Sequence, residues 1–347
     1  MNGASAPREQ APGEVAGPLL AVRDLSVRFE LLGRTVHAVN DVSFEVRPGE
    51  TFAVVGESGS GKSVTSMALT RLLAEPPARI ASGSVVLDDR DLLKLSEQEL
   101  RSVRGSDVAY IFQEPMTSLN PSMQIGVQIA EGVQRHRHVS RSAAMARARE
   151  LLELVRMPDV ESRLTAYPHQ LSGGMRQRVM IAIALACDPR LLIADEPTTA
   201  LDVTIQAGIL ALLRDLQETT GAGLILITHD LAVVAETADR MMVMYAGRKV
   251  EEGPVDEVLS RPRHPYTEGL MGAVPRLGSS LTGGTIEPLA EIPGLVPALD
   301  RPITGCAFAP RCAYAVERCR SEAPPLAPVG EGRASACFEH ERVGGAR

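Results

Sequence analysis

Residues 51–63 read TFAVVGESGSGKS, a short apolar run that leads directly into a glycine-rich loop. The loop from Gly56 to Ser63 matches the pattern G-x-x-x-x-G-K-[ST], whose glycines let several backbone N–H groups point at phosphate oxygens. A helix that begins near Gly61 adds the positive end of its dipole. The pattern assigns Lys62 to the β- and γ-phosphates and the Ser63 hydroxyl to Mg²⁺. This stretch therefore predicts a strand, a phosphate-binding loop and a helix.

Three further apolar runs also end on polar residues. They are residues 108–112, 191–194 and 224–228, which are followed by Gln113, by Asp195 and Glu196, and by His229. Continuous apolar strands are typical of a parallel sheet that is covered on both faces, and ligands bind beyond the carboxyl ends of such strands. We therefore predict that these side chains share one site with the loop. The alternative is that each run is a core strand ending in an ordinary loop.

The acid pair complements the phosphate loop. Asp195 is expected to hold the metal and Glu196 to polarise the attacking water.

Other regions have different patterns. Residues 25–29 and 42–46 alternate between apolar and polar, which predicts an antiparallel, half-exposed sheet beside the main one. Residues 121–164 have a helical pattern, and beyond Pro254 proline and glycine recur without long apolar runs. We expect a disordered lead-in over 1–18, a nucleotide-binding domain over 19–255 with a helical subdomain at about 115–175, and a loop-rich extension over 256–347.

Composition excludes several classes of protein. Of 347 residues, 44% are hydrophobic and 23% are charged, which is the balance of an ordinary globular protein. The net charge of −7 argues against broad binding to nucleic acid. The apolar run from Val179 to Cys187 is about half as long as a membrane-spanning helix. Residues 1–18 lack the apolar segment of a secretory signal, so the cytoplasm is the expected compartment.

The motif Leu-Ser-Gly-Gly-Met at residues 171–175 resembles the signature of ABC-type ATPases, and other landmarks of that family follow in order. Gln113 matches the Q-loop glutamine, Thr199 to Asp202 match the D-loop, and His229 matches the switch histidine. Phe29 stands where the family places an aromatic ring that stacks on adenine. By itself, the signature also reads as a helix start capped by Ser172.

The resemblance implies a P-loop ABC-type nucleotide-binding fold in which two chains enclose ATP. Glu196, His229, Lys62 and Gln113 would be the catalytic residues, and Ser63, Gln113 and Asp195 would bind Mg²⁺. The chain's own ATP contacts would be Phe29, Gly56, Glu57, Ser58, Gly59, Ser60, Gly61, Lys62, Ser63, Val64, Gln113 and Asp195. Ser172, Gly173, Gly174 and Met175 would contact the nucleotide held by the other chain.

The segment His264-Pro265-Tyr266-Thr267 resembles the start of the C-terminal extension of oligopeptide and dipeptide importer ATPases. That resemblance implies a second, usually different ATPase chain, two permease subunits and an extracytoplasmic peptide-binding protein, with this chain at the cytoplasmic face of the membrane. Related importers of nickel, glutathione or glycans share much of this core and remain alternatives. A non-transport ATPase of the same superfamily is a further alternative, although the chain lacks the coiled-coil insertion of the DNA-repair members.

Four of the five cysteines crowd the end of the chain, at Cys306, Cys312, Cys319 and Cys337. Four thiolates are the usual ligand set for an iron–sulfur cluster or for structural zinc, and the absence of a C-x₂-C pair argues against zinc. The resemblance to peptide-importer ATPases with such a segment implies a [4Fe–4S] cluster in a structural role. Zinc, free thiols and disulfides remain alternatives, and Cys187 is expected to be a packed core thiol.

Overall fold

The computed structural model describes residues 17–114, 118–199, 202–273 and 291–344. Most of the expected lead-in lies outside these ranges, as do Ala200 and Leu201 of the D-loop. None of the helices in the described parts of the chain combines the length and the hydropathy that a membrane span requires.

Twelve strands are present in the described residues. In chain order they are β1 (Leu20–Leu31), β2 (Arg34–Val46), β3 (Thr51–Val55), β4 (Ala78–Leu87), β5 (Arg90–Asp91), β6 (Val108–Ile111), β7 (Leu191–Asp195), β8 (Gly223–Thr228), β9 (Arg240–Tyr245), β10 (Arg248–Pro254), β11 (Ala327–Gly330) and β12 (Arg333–Ser335).

The helices lie between and after these strands. They are α1 (Lys62–Leu69), α2 (Glu97–Val103), α3 (Ile125–Arg137), α4 (Arg141–Leu154), α5 (Val160–Thr165), α6 (Gly173–Ala184), α7 (Val203–Thr220), α8 (Leu231–Thr237), α9 (Val255–Ser260), α10 (Pro265–Gly272) and α11 (Glu317–Ser321). Short 3₁₀ turns occupy Pro168–Gln170 and Ala309–Arg311.

The main sheet has the strand order β11-β12-β10-β9-β3-β8-β7-β6. Its five strands from β9 to β6 are parallel, and every residue of β3, β7 and β8 is buried. Burial on both faces explains why these strands are continuous apolar runs. The predicted parallel α/β core is therefore confirmed, and the polar residues that follow β3, β6, β7 and β8 lie at one edge of it.

A second sheet has the order β2-β1-β4-β5 and is antiparallel throughout. The second half of β2, from Val42 to Val46, alternates between buried and partly exposed residues. This confirms the antiparallel, half-exposed sheet that the alternating sequence predicted. Between β6 and β7, helices α3 to α6 pack around one apolar core that includes Ile129, Leu151 and Val179.

The C-terminal residues are less separate from the core than their composition suggested. Strand β12 pairs antiparallel with β10, and β11 pairs with β12, so both extend the main sheet. Tyr266 and Phe308 are buried in the same apolar cluster as Val55 and Val243. This arrangement is not predictable from the residue pattern, because β11 and β12 are too short to show a period of two.

Candidate functional site

The loop after β3 has the backbone form that its glycines predict. Gly56 and Gly61 have φ angles of 156° and 101°. A Cβ atom would lie 2.3 Å from the Met244 carbonyl oxygen at Gly56 and 2.6 Å from the Ala38 carbonyl oxygen at Gly61. Only glycine fits at these two positions, and helix α1 begins directly after Gly61.

Lys62 lies over the loop that precedes it. Its Nζ donates to the carbonyl oxygens of Gly56, at 2.7 Å, and Glu57, at 3.0 Å. Burial lowers the pKa of Lys62 below its usual value, while the carboxylates of Glu196 and Asp195 act in the opposite direction. The ammonium is therefore held inside the loop, where a phosphate oxygen would replace a carbonyl as its partner.

The remaining loop residues fall into two groups. Ser58 and Gly59 are exposed, whereas Ser60 is 1% exposed. The Ser60 hydroxyl has no hydrogen-bond partner within the described residues. A buried hydroxyl without a partner is costly, and an anion in the loop would satisfy it. The loop therefore fits a phosphate-bearing ligand.

Ser63 and Asp195 meet although they lie 132 residues apart in the chain. The Ser63 hydroxyl donates to Asp195 Oδ1 at 3.0 Å. The Tyr110 hydroxyl donates to Asp195 Oδ2 at 2.8 Å, so both carboxylate oxygens are held in place. Burial raises the pKa of Asp195, against the effect of these two hydrogen bonds. A hydroxyl and a carboxylate are the oxygen donors that Mg²⁺ takes, so the residues fit the metal that the loop pattern implies.

Glu196 is surrounded by three polar side chains. Gln113 Nε2 donates to its Oε2 at 2.9 Å, and the Thr199 hydroxyl donates to the same oxygen at 2.8 Å. His229 Nδ1 lies 3.4 Å from Glu196 Oε1, and the His229 side chain is 64% exposed. Two of the predicted strand-end residues, Gln113 and His229, therefore converge on the carboxylate of a third, Glu196, and the His229 ring is open to solvent.

Two of these contacts involve residues that sequence reasoning missed. The sequence places Tyr110 within an apolar run, and a tyrosine inside a buried strand needs a hydroxyl partner, which is a signal for a polar site. Thr199 is predicted only as part of the D-loop.

The signature residues lie at the start of α6. The Ser172 hydroxyl caps this helix by accepting a hydrogen bond from the Met175 N–H at 3.4 Å. Ser172 and Gly173 are exposed, whereas a Cβ atom on Gly174 would lie 2.7 Å from Ile205 Cγ2. The capped helix start therefore leaves two of its residues exposed, and both interpretations of the motif are compatible with the structure.

Phe29 lies in β1 and is half-buried against the core that the antiparallel sheet covers. Val64 lies in the first turn of α1 and is partly buried against the same core.

The four C-terminal cysteines line one cavity, although up to 31 residues separate them in the chain. Burial raises the pKa of Cys312 to about 11 and that of Cys337 to about 12, and the other thiols of the group add to both shifts. All four are free thiols. Even so, among the described residues no group of three or more His, Cys, Asp or Glu side chains is arranged to hold a metal ion. The predicted cluster is therefore not supported by a preformed metal site.

Cys187 lies elsewhere, packed against the core that α3 to α6 share. Its Sγ is 3.6 Å from the Gly132 carbonyl oxygen.

Comparison with protein families finds two matches along the chain. The ABC transporter family model matches residues 39–199. The model for the C-terminal region of oligopeptide/dipeptide transporters matches residues 250–319. The second match covers α10, the Ala309–Arg311 turn and three of the four clustered cysteines.

Curated relatives match nearly the whole chain. A putative peptide import ATP-binding protein of Brucella ovis is 52% identical, over 94% of this chain and 98% of that protein. The oligopeptide transport ATP-binding protein OppD of Bacillus subtilis is also 52% identical, over 90% of this chain and 86% of its own length.

Solved structures match the ATPase part. A dimeric post-hydrolysis state of the ATP-binding cassette MJ0796, bound to ADP and Pi, has a TM-score of 0.62 and 26% identity. It covers 68% of this chain and 98% of that one. CbiO1 of Clostridium perfringens, part of the ABC transporter complex CbiONQ, has a TM-score of 0.59 and 26% identity, over 70% of this chain and 91% of that one.

Proposed function

Because this chain belongs to the ATP-binding subunits of ABC-type peptide importers, as its motifs predicted, we propose that it hydrolyses ATP to power uptake of di- and oligopeptides. One observation carries the choice of peptide over other cargo. Residues 250–319 match the C-terminal region of oligopeptide/dipeptide transporters, and Val250, Tyr266 and Phe308 within that range are buried in an apolar cluster of the core.

ATP binding is assigned to the loop of residues 56–63. Its N–H groups, the start of α1 and the Lys62 ammonium would hold the phosphates, and Ser63 and Asp195 would hold Mg²⁺. The metal would neutralise charge on the transferred phosphoryl group. Phe29 is assigned to the adenine ring. Gln113, which donates a hydrogen bond to Glu196, would sense the metal and the phosphate and would link the ATP site to the membrane subunits.

Water activation is assigned to Glu196. Its carboxylate is held from one side by Gln113 and Thr199, while His229 approaches the other oxygen. This arrangement leaves a carboxylate with a fixed orientation beside an exposed imidazole. Glu196 would accept the proton of the attacking water, and His229 would contact the γ-phosphate.

A complete site is proposed to need two chains. The exposed Ser172 and Gly173, with Gly174 and Met175, would complete the ATP site of a second ATPase chain. That arrangement is supported by the relative MJ0796, which is dimeric with ADP and Pi bound. Two permease subunits and an extracytoplasmic peptide-binding protein would complete the transporter, with this chain docked peripherally on the cytoplasmic side of the membrane.

The same proposal divides the chain into an ATPase domain over residues 19–255, with its helical part at about 115–175, and an extension over residues 256–347. Helices α3 to α5 fall inside the proposed helical part.

Peptide-stimulated ATP hydrolysis tests the function. The chain is co-expressed with the permease and ATPase subunits, purified as a complex in lipid, and assayed with the binding protein present. We expect di- or oligopeptides to raise turnover severalfold, while nickel, glutathione and glycans do not. Stimulation by one of those three instead would reassign the cargo. A chain that purifies with DNA or ribosomes and not with permeases would contradict the transport role.

For the four clustered cysteines we propose a [4Fe–4S] cluster that ties together the irregular loops of the extension. Two observations support this proposal: all four cysteines line one cavity, and none of them is joined to another in a disulfide. The absence of a C-x₂-C pair from the four-cysteine pattern argues against zinc. Among the described residues, no side chains are already arranged around a metal ion of either kind.

Metal content tests this assignment. After anaerobic purification, we expect close to four iron and four sulfide per chain and a broad visible absorption that Cys319→Ser removes. Cys187→Ser is the matched control and should keep both, because that thiol lies in a different core. Stoichiometric zinc without iron, or no metal under these conditions, would contradict the cluster.

A further inference from the structure

The C-terminal extension holds a side chain of the phosphate loop. Arg311 Nη1 donates to Glu57 Oε2 at 2.8 Å, and Arg311 Nη2 lies 3.1 Å from Glu57 Oε1. The two residues are 254 positions apart in the chain. The pair is bidentate, which is the geometry that fixes orientation as well as charge.

Arg311 is itself held firmly. Its side chain is 5% exposed, against 29% for Glu57. Its Nε donates to the Pro293 carbonyl oxygen at 2.9 Å, and Nη2 also donates to the Ile292 carbonyl oxygen at 3.1 Å. The hydrogen bonds to Glu57 hold the pKa of Arg311 above its usual value. An arginine with this many fixed partners acts as a rigid support and not as a mobile surface charge.

A second contact reaches the same loop residue. The Glu57 N–H donates to the hydroxyl of Tyr266, at 2.7 Å, and Tyr266 is fully buried. The Glu57 carbonyl oxygen accepts the hydrogen bond from Lys62 described above. The extension therefore holds both the side chain and the N–H of Glu57, and the carbonyl of the same residue contacts the phosphate-binding lysine.

Charge gives this contact a consequence for nucleotide affinity. Glu57 places a carboxylate in a loop that must receive several phosphate charges, and like charges at short range repel. Arg311 compensates that carboxylate. Without Arg311, the loop would present an uncompensated negative charge and would lose one of its two anchors to the extension.

We propose that Arg311 is a positioning residue for the phosphate loop, acting through Glu57, so that the ATP affinity of this chain depends on its C-terminal extension. The proposal rests on the assignment of ATP to this loop. Arg311 ends the 3₁₀ turn that immediately precedes Cys312. The segment that carries the clustered thiols therefore also sets the position of the guanidinium.

Equilibrium binding of a fluorescent ATP analogue to the full-length chain is the test. We expect Arg311→Ala to weaken binding by about tenfold, since coupled charge pairs contribute an effect of this size. Replacing Glu57 with Gln in the same variant should restore part of the affinity, because no uncompensated carboxylate remains. Arg318→Ala is the matched control. That arginine also lies in the extension, but it is 60% exposed and pairs with Glu322, so its removal should leave affinity unchanged.

ATP turnover in the assembled complex distinguishes a positioning role of Arg311 from a general loss of structure. Arg311→Ala should raise KM for ATP while changing kcat much less, because the catalytic carboxylate at Glu196 has other partners. If Arg311→Ala does not fold, as judged by its thermal unfolding, Arg311→Gln decides the question in the same binding assay.

A folded Arg311→Ala or Arg311→Gln variant that binds the analogue as tightly as the parent would overturn the proposal. Independent effects of the Arg311 and Glu57 substitutions, with no coupling between them, would do the same. If the parent chain itself binds no ATP, the proposed function fails instead, so the two failures are distinguishable.

Discussion

Glu196→Gln in the assembled complex is expected to lower ATP turnover by about 10²- to 10⁴-fold, the contribution of a well-placed general base. The amide keeps the size of the carboxylate but does not accept a proton from water. Gln113 and Thr199 both donate to Glu196 Oε2, and an amide oxygen still accepts from them. The loop geometry and ATP binding should therefore persist, and ATP should be trapped between the two ATPase chains.

Single-turnover hydrolysis and nucleotide binding, measured on the same preparation, separate the two effects. Lys62→Ala is the comparison variant, since it removes the charge that contacts the phosphates and should reduce binding as well as turnover. Parental hydrolysis rates in Glu196→Gln would show that the base lies elsewhere. Because the two ATP sites of a pair can differ, the partner chain should carry the matching substitution.

Arg333→Ala is expected to lower the free energy of unfolding by about 3–5 kcal/mol, the cost of leaving a buried charge unpaired. Arg333 Nη2 lies 3.3 Å from Glu251 Oε1, and the two side chains are 6% and 0% exposed. Glu251 also accepts the backbone N–H groups of Arg263, at 2.8 Å, and His264, at 3.0 Å. This carboxylate therefore joins β10, β12 and the start of α10, and its loss of a partner affects all three.

The loss of unfolding free energy in Arg333→Ala should depend on pH in a defined direction. Burial raises the pKa of Glu251 above its usual value, and removing Arg333 should raise it further. The cost of the ionised, unpaired carboxylate is therefore complete above the folded-state pKa and disappears as pH falls below the unfolded value. Urea unfolding should show a larger difference from the parent at pH 8 than at pH 5.

Two further variants make this test specific. Replacing both Glu251 and Arg333 with Leu should recover part of the stability, because no buried charge is then left unpaired. Arg342→Ala removes an arginine that is 59% exposed and pairs with Glu339 at the surface, and it should change stability by less than about 0.5 kcal/mol. An Arg333→Ala variant as stable as the parent at pH 8 would contradict the role given to the pair.

The phosphate loop shows which features were predictable from neighbouring residues. Gly56 and Gly61 have positive φ angles, and that backbone requirement of the loop is local, whereas the carbonyls of Met244 and Ala38 that a side chain there would meet come from distant parts of the chain. The apolar strands that precede the site are equally local, because burial on both faces excludes polar residues from them. Strand, loop and helix could therefore be predicted from the order of residue types alone.

The partners of Asp195 and Glu57 could not be predicted from neighbouring residues. Tyr110 reaches Asp195 across 85 residues, and Arg311 reaches Glu57 across 254. Nothing near Arg311 in the sequence distinguishes it from the exposed Arg318 and Arg320, and the short turn that carries it has no periodic pattern.

By itself, the sequence determined the local conformation of the phosphate loop and the family to which the chain belongs, because the loop pattern and each motif are short stretches of neighbouring residues whose order along the chain is read directly. Only the tertiary structure decided that the C-terminal extension holds the phosphate loop, because that contact depends on how the main sheet places β3, β9 and β10 beside residues from the far end of the chain.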